Sequence, residues 1–129
     1  MNTYTKHFTA PSYCNRDRFA AGDILVACPV NDPDDIIGFC VLRASKTRNT
    51  VEIEIIGVSL DAQGRGVGTL LVDAACRQRK NYGNVILMVQ KDNHQALQFY
   101  TDYGFQIVST ETRDCYGLRY VIPGRGVLI

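Results

Sequence analysis

Glycines stand at positions 64, 66 and 68, with Gln63 just before them and Arg65 between the first two. Residues of these types at this spacing suit an anion. Glycine has no Cβ, so its backbone adopts positive φ and approaches a ligand closely. Where a helix begins at such a turn, its first N–H groups point at the ligand and its dipole favours negative charge. Gln63 and Arg65 add side-chain donors. Two familiar phosphate loops do not fit. The nucleoside-triphosphate loop needs a lysine after its last glycine, and none follows here. The dinucleotide loop G-x-G-x-x-G meets Thr69 or Leu71 where its third glycine belongs. The plainer reading is a flexible turn that binds nothing, and three alternating glycines with two donors weigh against it.

Other residues carry chemistry. Glu52 and Glu54 alternate, so in a strand they share a face with positions 56 and 58. Tyr100 lies in an aromatic stretch with Phe99 and Tyr103, which read as core residues. Cys14, Cys28, Cys40, Cys76 and Cys115 are odd in number and form no C-x-x-C pair. They read as reduced, mostly buried thiols rather than a zinc or disulfide framework. Cys76 falls on the polar or boundary side of its helix and carries no assignment. His7 and His94 are the only histidines, and neither is linked in sequence to a cysteine. His94 reads as a surface residue, and no metal is expected.

These residues need a scaffold. Residues 23–30 read as a strand, and the turn formers at 31–35 lead to a second strand at 36–44, so the two form a hairpin. Residues 50–60 are a long β-branched strand. Val67, Leu70, Leu71, Ala74 and Ala75 recur at helical spacing, which predicts a helix from 66 to about 80. Residues 85–89 are wholly apolar, the mark of a strand buried on both faces. Asn93 caps a second helix that Gly104 ends. Residues 105–112 and 118–122 close the sheet. A short helix over 15–21 fits the otherwise patternless first 22 residues. Strand–helix–strand units imply parallel pairing in the middle and antiparallel pairing at the edges. The fold class is α/β: one mixed sheet in one domain spanning residues 1–129.

Composition narrows the partners. A chain of 129 residues that is 46% apolar fills one core. A formal charge of +1 and the lack of a basic stripe argue against nucleic acid or an anionic membrane. No apolar run approaches the length of a membrane span, and the first residues do not resemble a signal peptide, so a cytoplasmic protein is expected.

Gln63-x-x-Gly66-x-Gly68 after a long strand is similar to the Q/R-x-x-G-x-G/A signature of the GNAT N-acetyltransferase superfamily. Asn93-x-x-Ala96-x-x-Phe99-Tyr100-x-x-x-Gly104-Phe105 resembles that superfamily's second block, in the right order and with room for one helix and one strand between. The likeness covers roughly residues 23–122. It implies a parallel central strand pair that splays apart, helices on both faces, and acetyl-CoA as co-substrate. Backbone groups of Val58 and Leu60 would pair with pantetheine. Gln63, Gly64, Arg65, Gly66, Val67, Gly68 and Thr69 would hold the pyrophosphate, and Asn93 would help fix the cofactor. Only about 22 residues precede the first clear strand, fewer than the family uses to wall its acceptor site.

The resemblance also assigns roles. It implies attack by a primary amine of a small molecule or peptide on the thioester. A carboxylate on the long strand acts as base or orders a water. Motif spacing points to Glu52, whereas a bulge points to Glu54. Tyr100 matches the family's general acid. The alternative from another class is a catalytically silent acyl-CoA-binding module, which the short N-terminal region favours. The apolar tail at 127–129 suggests a homodimer that completes the acceptor site.

Overall fold

A computed structural model describes residues 4–5, 24–29, 31–32, 34–78 and 82–123. The expected helix at 15–21 and the tail at 127–129 lie outside these residues. The described elements are β1 (Tyr4–Thr5), β2 (Ile24–Pro29), β3 (Gly38–Ala44), β4 (Thr50–Val58), α1 (Val67–Gln78), β5 (Asn84–Gln90), α2 (His94–Tyr103), β6 (Gln106–Thr110) and β7 (Cys115–Val121). They fall into two compact units, one from the described parts of 1–43 and 53–79, the other from 44–52 and 82–123. Strand β4 belongs to both, its first three residues to the second unit and the rest to the first.

In the first unit β1 pairs antiparallel with β2, and β2 with β3. The register sets Leu25 opposite Cys40 and Ala27 opposite Gly38. That face receives α1: a Cβ on Gly38 would stand 3.1 Å from both Leu71 and Val67 and 3.2 Å from the Gly57 carbonyl, so only glycine lets the helix settle so close. Val67, Leu71, Val72 and Ala75 form the buried stripe of α1 at helical spacing. Ile24, Val26 and Val41 build a separate buried cluster on the other face, with Ile36 against it. Cys76 is only 6% exposed, which corrects its placement on the helix's polar side. The stripe is wide enough to bury the position next to Ala75, and a cysteine side chain packs there as a small apolar group.

In the second unit β4 begins a parallel ladder with β5: Thr50, Val51 and Glu52 pair with Asn84, Val85 and Ile86. The turn before β4 sets this start. Asn49 adopts φ +62°, and its carbonyl accepts from the N–H groups of Gly83 and Asn84 at 3.0 and 3.1 Å. Asparagine is among the few side chains that tolerate such torsions. β5 pairs antiparallel with β7 through seven residues, and β7 with the edge strand β6. The expected pattern holds, with parallel pairing in the middle and antiparallel pairing outside. One expectation fails. Val85, Leu87 and Val89 are buried, but Met88 is 54% exposed, so β5 is covered on one face only. An apolar run does not report which of its alternate residues a helix covers.

Helix α2 starts and ends as its residues dictate. Asn93 Oδ1 accepts from the Ala96 N–H at 3.1 Å, a cap worth about 1 kcal/mol. Gly104 closes the helix at φ +128°, and its N–H reaches the Tyr100 and Thr101 carbonyls. Phe105 then turns into an aromatic cluster with Tyr100, Tyr103 and Tyr120. Phe99 and Tyr103, expected in the core, are half-buried, whereas Tyr100 is only 6% exposed.

Candidate active site

The glycine loop in the first unit follows β4 directly. The strand ends at Val58, short of the expected residue 60. Leu60 instead opens a one-turn 3-10 helix (Leu60–Ala62) and is 85% exposed. Ala62 anchors this turn in the core. Gly64 and Gly66 take φ +77° and +83°, and a Cβ on either would meet no protein atom within 4 Å. Their glycines are required by torsion, and the space above them stays open. The first i→i−4 bond of α1 runs from the Leu70 N–H to the Gly66 carbonyl at 3.0 Å. The amides of Val67, Gly68 and Thr69 therefore precede the helical ladder, at the positive end of a 12-residue helix. The open space above the loop and the positive end of α1 suit an anion.

Gln63, expected as a side-chain donor to phosphate, also has a partner within the chain. Its Nε2 donates to the Val58 carbonyl at 3.1 Å, bracing the loop against the strand. Asn93, expected near the cofactor, caps α2 through its Oδ1.

The two glutamates part ways. Glu54 makes an ion pair with Arg43, Nη1 to Oε1 at 3.9 Å. Arg43 shares a strand face with Phe39, and a Cβ on Gly57 would strike the Phe39 ring at 2.7 Å. Glu54 and Gly57 thus turn to one face although three residues apart, a change of parity that marks an extra residue in β4. Glu52, in the second unit, borders an open cavity of about 160 Å³. Its floor is Ile86, Met88 and Val108, and its far side is Gly117 with Glu111. Sequence reasoning missed Glu111, because its place depends on a bulge in β6: the register with β7 shifts between Ile107 and Ser109.

Tyr100 is held by ring contacts. Phe99 packs edge-on at 5.0 Å and Phe105 at 5.4 Å. A ring so fixed keeps one orientation for its hydroxyl.

Cysteine chemistry finds no support. Cys28, Cys40 and Cys76 are buried, and none of the described cysteines is in a disulfide. Burial, with Cys76 nearby, pushes the Cys40 thiol up to about 12. Burial, then the carboxylates Asp32, Asp34 and Asp35, raise Cys28 as well. Both are thiols rather than thiolates at neutral pH, and only the thiolate is nucleophilic. Among the described residues no three His, Cys, Asp or Glu side chains converge to hold a metal, and no helix is long and apolar enough to cross a membrane.

Residues 2–105 match the model of the acetyltransferase (GNAT) family. Mycothiol acetyltransferase of Jonesia denitrificans is 36% identical over 89 residues, which are 67% of this chain and 28% of that protein. The namesake from Nocardia farcinica is 31% identical over 91 residues, 67% of this chain and 30% of that one. The chain thus matches under a third of the length of these curated relatives. Among solved structures, a GNAT family acetyltransferase from Elizabethkingia anophelis with acetyl-CoA bound superposes with TM-score 0.75 at 19% identity, covering 95% of this chain and 100% of that one. Arabidopsis thaliana Naa50, in complex with the bisubstrate analogue CoA-Ac-MVNAL, gives TM-score 0.64 at 26% identity, covering 88% and 85%.

Proposed function

For a chain that belongs to the acetyltransferase (GNAT) family, we propose an acetyl-CoA-dependent N-acetyltransferase acting on a primary amine of a small molecule or peptide. One observation carries the reading: Gly64 and Gly66 hold positive φ, leave open space above the loop, and deliver the leading amides of α1 to it. The loop would hold the pyrophosphate through the amides of residues 64–69. The backbone of Val58, and of Leu60 beyond it, would meet the pantetheine. Solved relatives bound to acetyl-CoA and to a CoA–peptide analogue support both the co-substrate and the acceptor class.

The chemistry follows from the acceptor. A lysine-like amine is neutral in only about one molecule in 2,500 at pH 7, a deficit of roughly 4–5 kcal/mol. A base is therefore useful, and the cavity that Glu52 lines favours Glu52 for the role. Acetyl-CoA supplies the thioester. The amine nitrogen bonds to the acetyl carbon, the carbon–sulfur bond breaks, Glu52 takes the amine's proton, and Tyr100 returns a proton to the departing sulfur. A phenol, ordinarily protonated at pH 7, suits that donation. No metal enters the scheme. A cytoplasmic homodimer belongs to the same reading.

The test is CoA release, followed with a thiol reagent, from acetyl-CoA and a panel of primary amines. Acceptor-dependent release is expected. Tight acetyl-CoA binding with no release from any amine or peptide N-terminus would leave a binding module instead.

A further inference from the structure

The cavity beside Glu52 is bounded by two carboxylates over an apolar floor. Glu52 stands on β4 at one side, and Glu111 at the other. Glu111 is not placed by chance. Ser109 Oγ donates to its Oε1 at 2.6 Å, which draws the side chain back over β7. The residue beneath is Gly117. A Cβ there would stand 2.8 Å from Glu111 Oε1 and 3.0 Å from its Cγ, and would collide with Ser109 Oγ. Gly117 is thus the opening through which Glu111 lies across the sheet. The β6 bulge turns Val108 into the same cavity, where it is 48% exposed beside Met88.

The spacing between the two carboxylates follows from the sheet. Ile86 is the partner of Glu52, and Met88 of Gly117. From β4 to β7 is two strand spacings, roughly 10 Å, with a shift of two residues along the strands. The floor between is methylene and methyl groups. Arg119, which pairs with Ile86, shares this face but is not among the cavity's lining residues.

We propose that this cavity is the acceptor subsite and that it selects a linear aliphatic diamine. One amine meets Glu52 for acetylation, the methylenes cover Ile86, Met88 and Val108, and the distal ammonium pairs with Glu111. Which amine reacts rests on the acetyltransferase reading; selection of the second charge rests on the cavity alone. An apolar chain with a distal cation matches both the floor and Glu111, whereas a monoamine leaves Glu111 without a partner of opposite charge.

The experiment compares 1,5-diaminopentane with pentylamine, in kcat/KM by CoA release and in Kd by calorimetry with CoA present. The wild type prefers the diamine by about tenfold or more in both. In Glu111→Gln that ratio falls toward one. Gly117→Ala, which displaces Glu111 without removing it, lowers the ratio too. Equal kcat/KM and Kd for the two amines in the wild type overturn the proposal, as does a ratio that survives Glu111→Gln. A diamine preference in Kd that Glu111→Gln abolishes, with no CoA release, upholds the subsite and sinks the acetyltransferase reading instead.

Discussion

Gln63 reaches back five residues to donate its side-chain amide to the carbonyl of Val58. The bond ties the end of β4 to the start of the glycine loop. A hydrogen bond of this kind, exposed to solvent, has a net worth of about 0.5–1.5 kcal/mol. Gln63→Ala should weaken acetyl-CoA by roughly two- to tenfold, because the loop must then be ordered on binding. Gln63→Glu loses the donor and adds a charge beside the pyrophosphate, so its loss should be larger. Calorimetry that finds both variants at wild-type affinity would remove Gln63 from the site.

Gly66 separates torsion from occlusion. Its φ of +83° strains any side chain, although the space around it is open. Gly66→Val should lose about 1–2 kcal/mol of stability and more than tenfold in acetyl-CoA affinity. Gly66→Asn tolerates the torsion, so its melting temperature should stay close to wild type while affinity still falls. If Gly66→Asn binds as tightly as the parent, phosphate does not approach this backbone.

Tyr100→Phe keeps the ring and its contacts with Phe99 and Phe105. Stability should fall by no more than about 1.5 kcal/mol, the worth of a hydrogen bond. If Tyr100 donates the proton, kcat should drop by roughly 10²-fold where chemistry limits the rate. Single-turnover kinetics read this directly, and an unaltered rate returns Tyr100 to a packing role.

The two strand carboxylates predict opposite outcomes. Glu52→Gln should lower kcat by roughly 10²-fold at unchanged stability. Glu54→Gln breaks a long, partly exposed pair with Arg43, worth about 0–1 kcal/mol, and should leave kcat within a few-fold. The reverse pattern would move the base to Glu54.

Cys40 makes stability depend on alkaline pH. Its thiol titrates near 9.0 when free and near about 12 in the fold. Between those values the unfolded chain has released a proton that the native chain keeps. The contribution is therefore complete below the lower value and is lost as pH rises, by about 1.4 kcal/mol per pH unit. Denaturant titrations should show this decline, and Cys40→Ala should make it shallower. In native protein, site-resolved alkylation should modify the half-buried Cys115 before Cys28, Cys40 or Cys76.

The elements were legible where a local rule fixes them. Asn93 and Gly104 bracket α2 as a cap and a left-handed stop, and the stripe from Val67 to Ala75 announces α1. The glycine loop was legible because few other roles require Gly64 and Gly66. Features set by distant partners were not. The 3-10 turn at Leu60 depends on burying Ala62, and the exposure of Met88 on which face of β5 is covered. The burial of Tyr100 rather than Phe99 comes with Phe105, just ahead of β6, packing on its ring. Glu111 needed a bulge, a serine and a glycine on two strands to reach its place, and no single stretch of sequence contains all three relationships.

The order β5-β7-β6 in the second unit sets a timetable for synthesis. β6 leaves the ribosome before β7, yet β7 lies between it and β5. Until residue 121 has emerged, β6 has no neighbour to pair with, and β5 lacks the partner for all seven of its antiparallel pairs. The nascent chain therefore carries apolar strand edges, Ile86 to Met88 and Ile107 to Val108 among them, with nothing to zip against. The β2–β3 hairpin forms from neighbours in sequence and is complete far earlier. Premature termination within 111–120 should thus yield an aggregation-prone intermediate rather than a weakened enzyme.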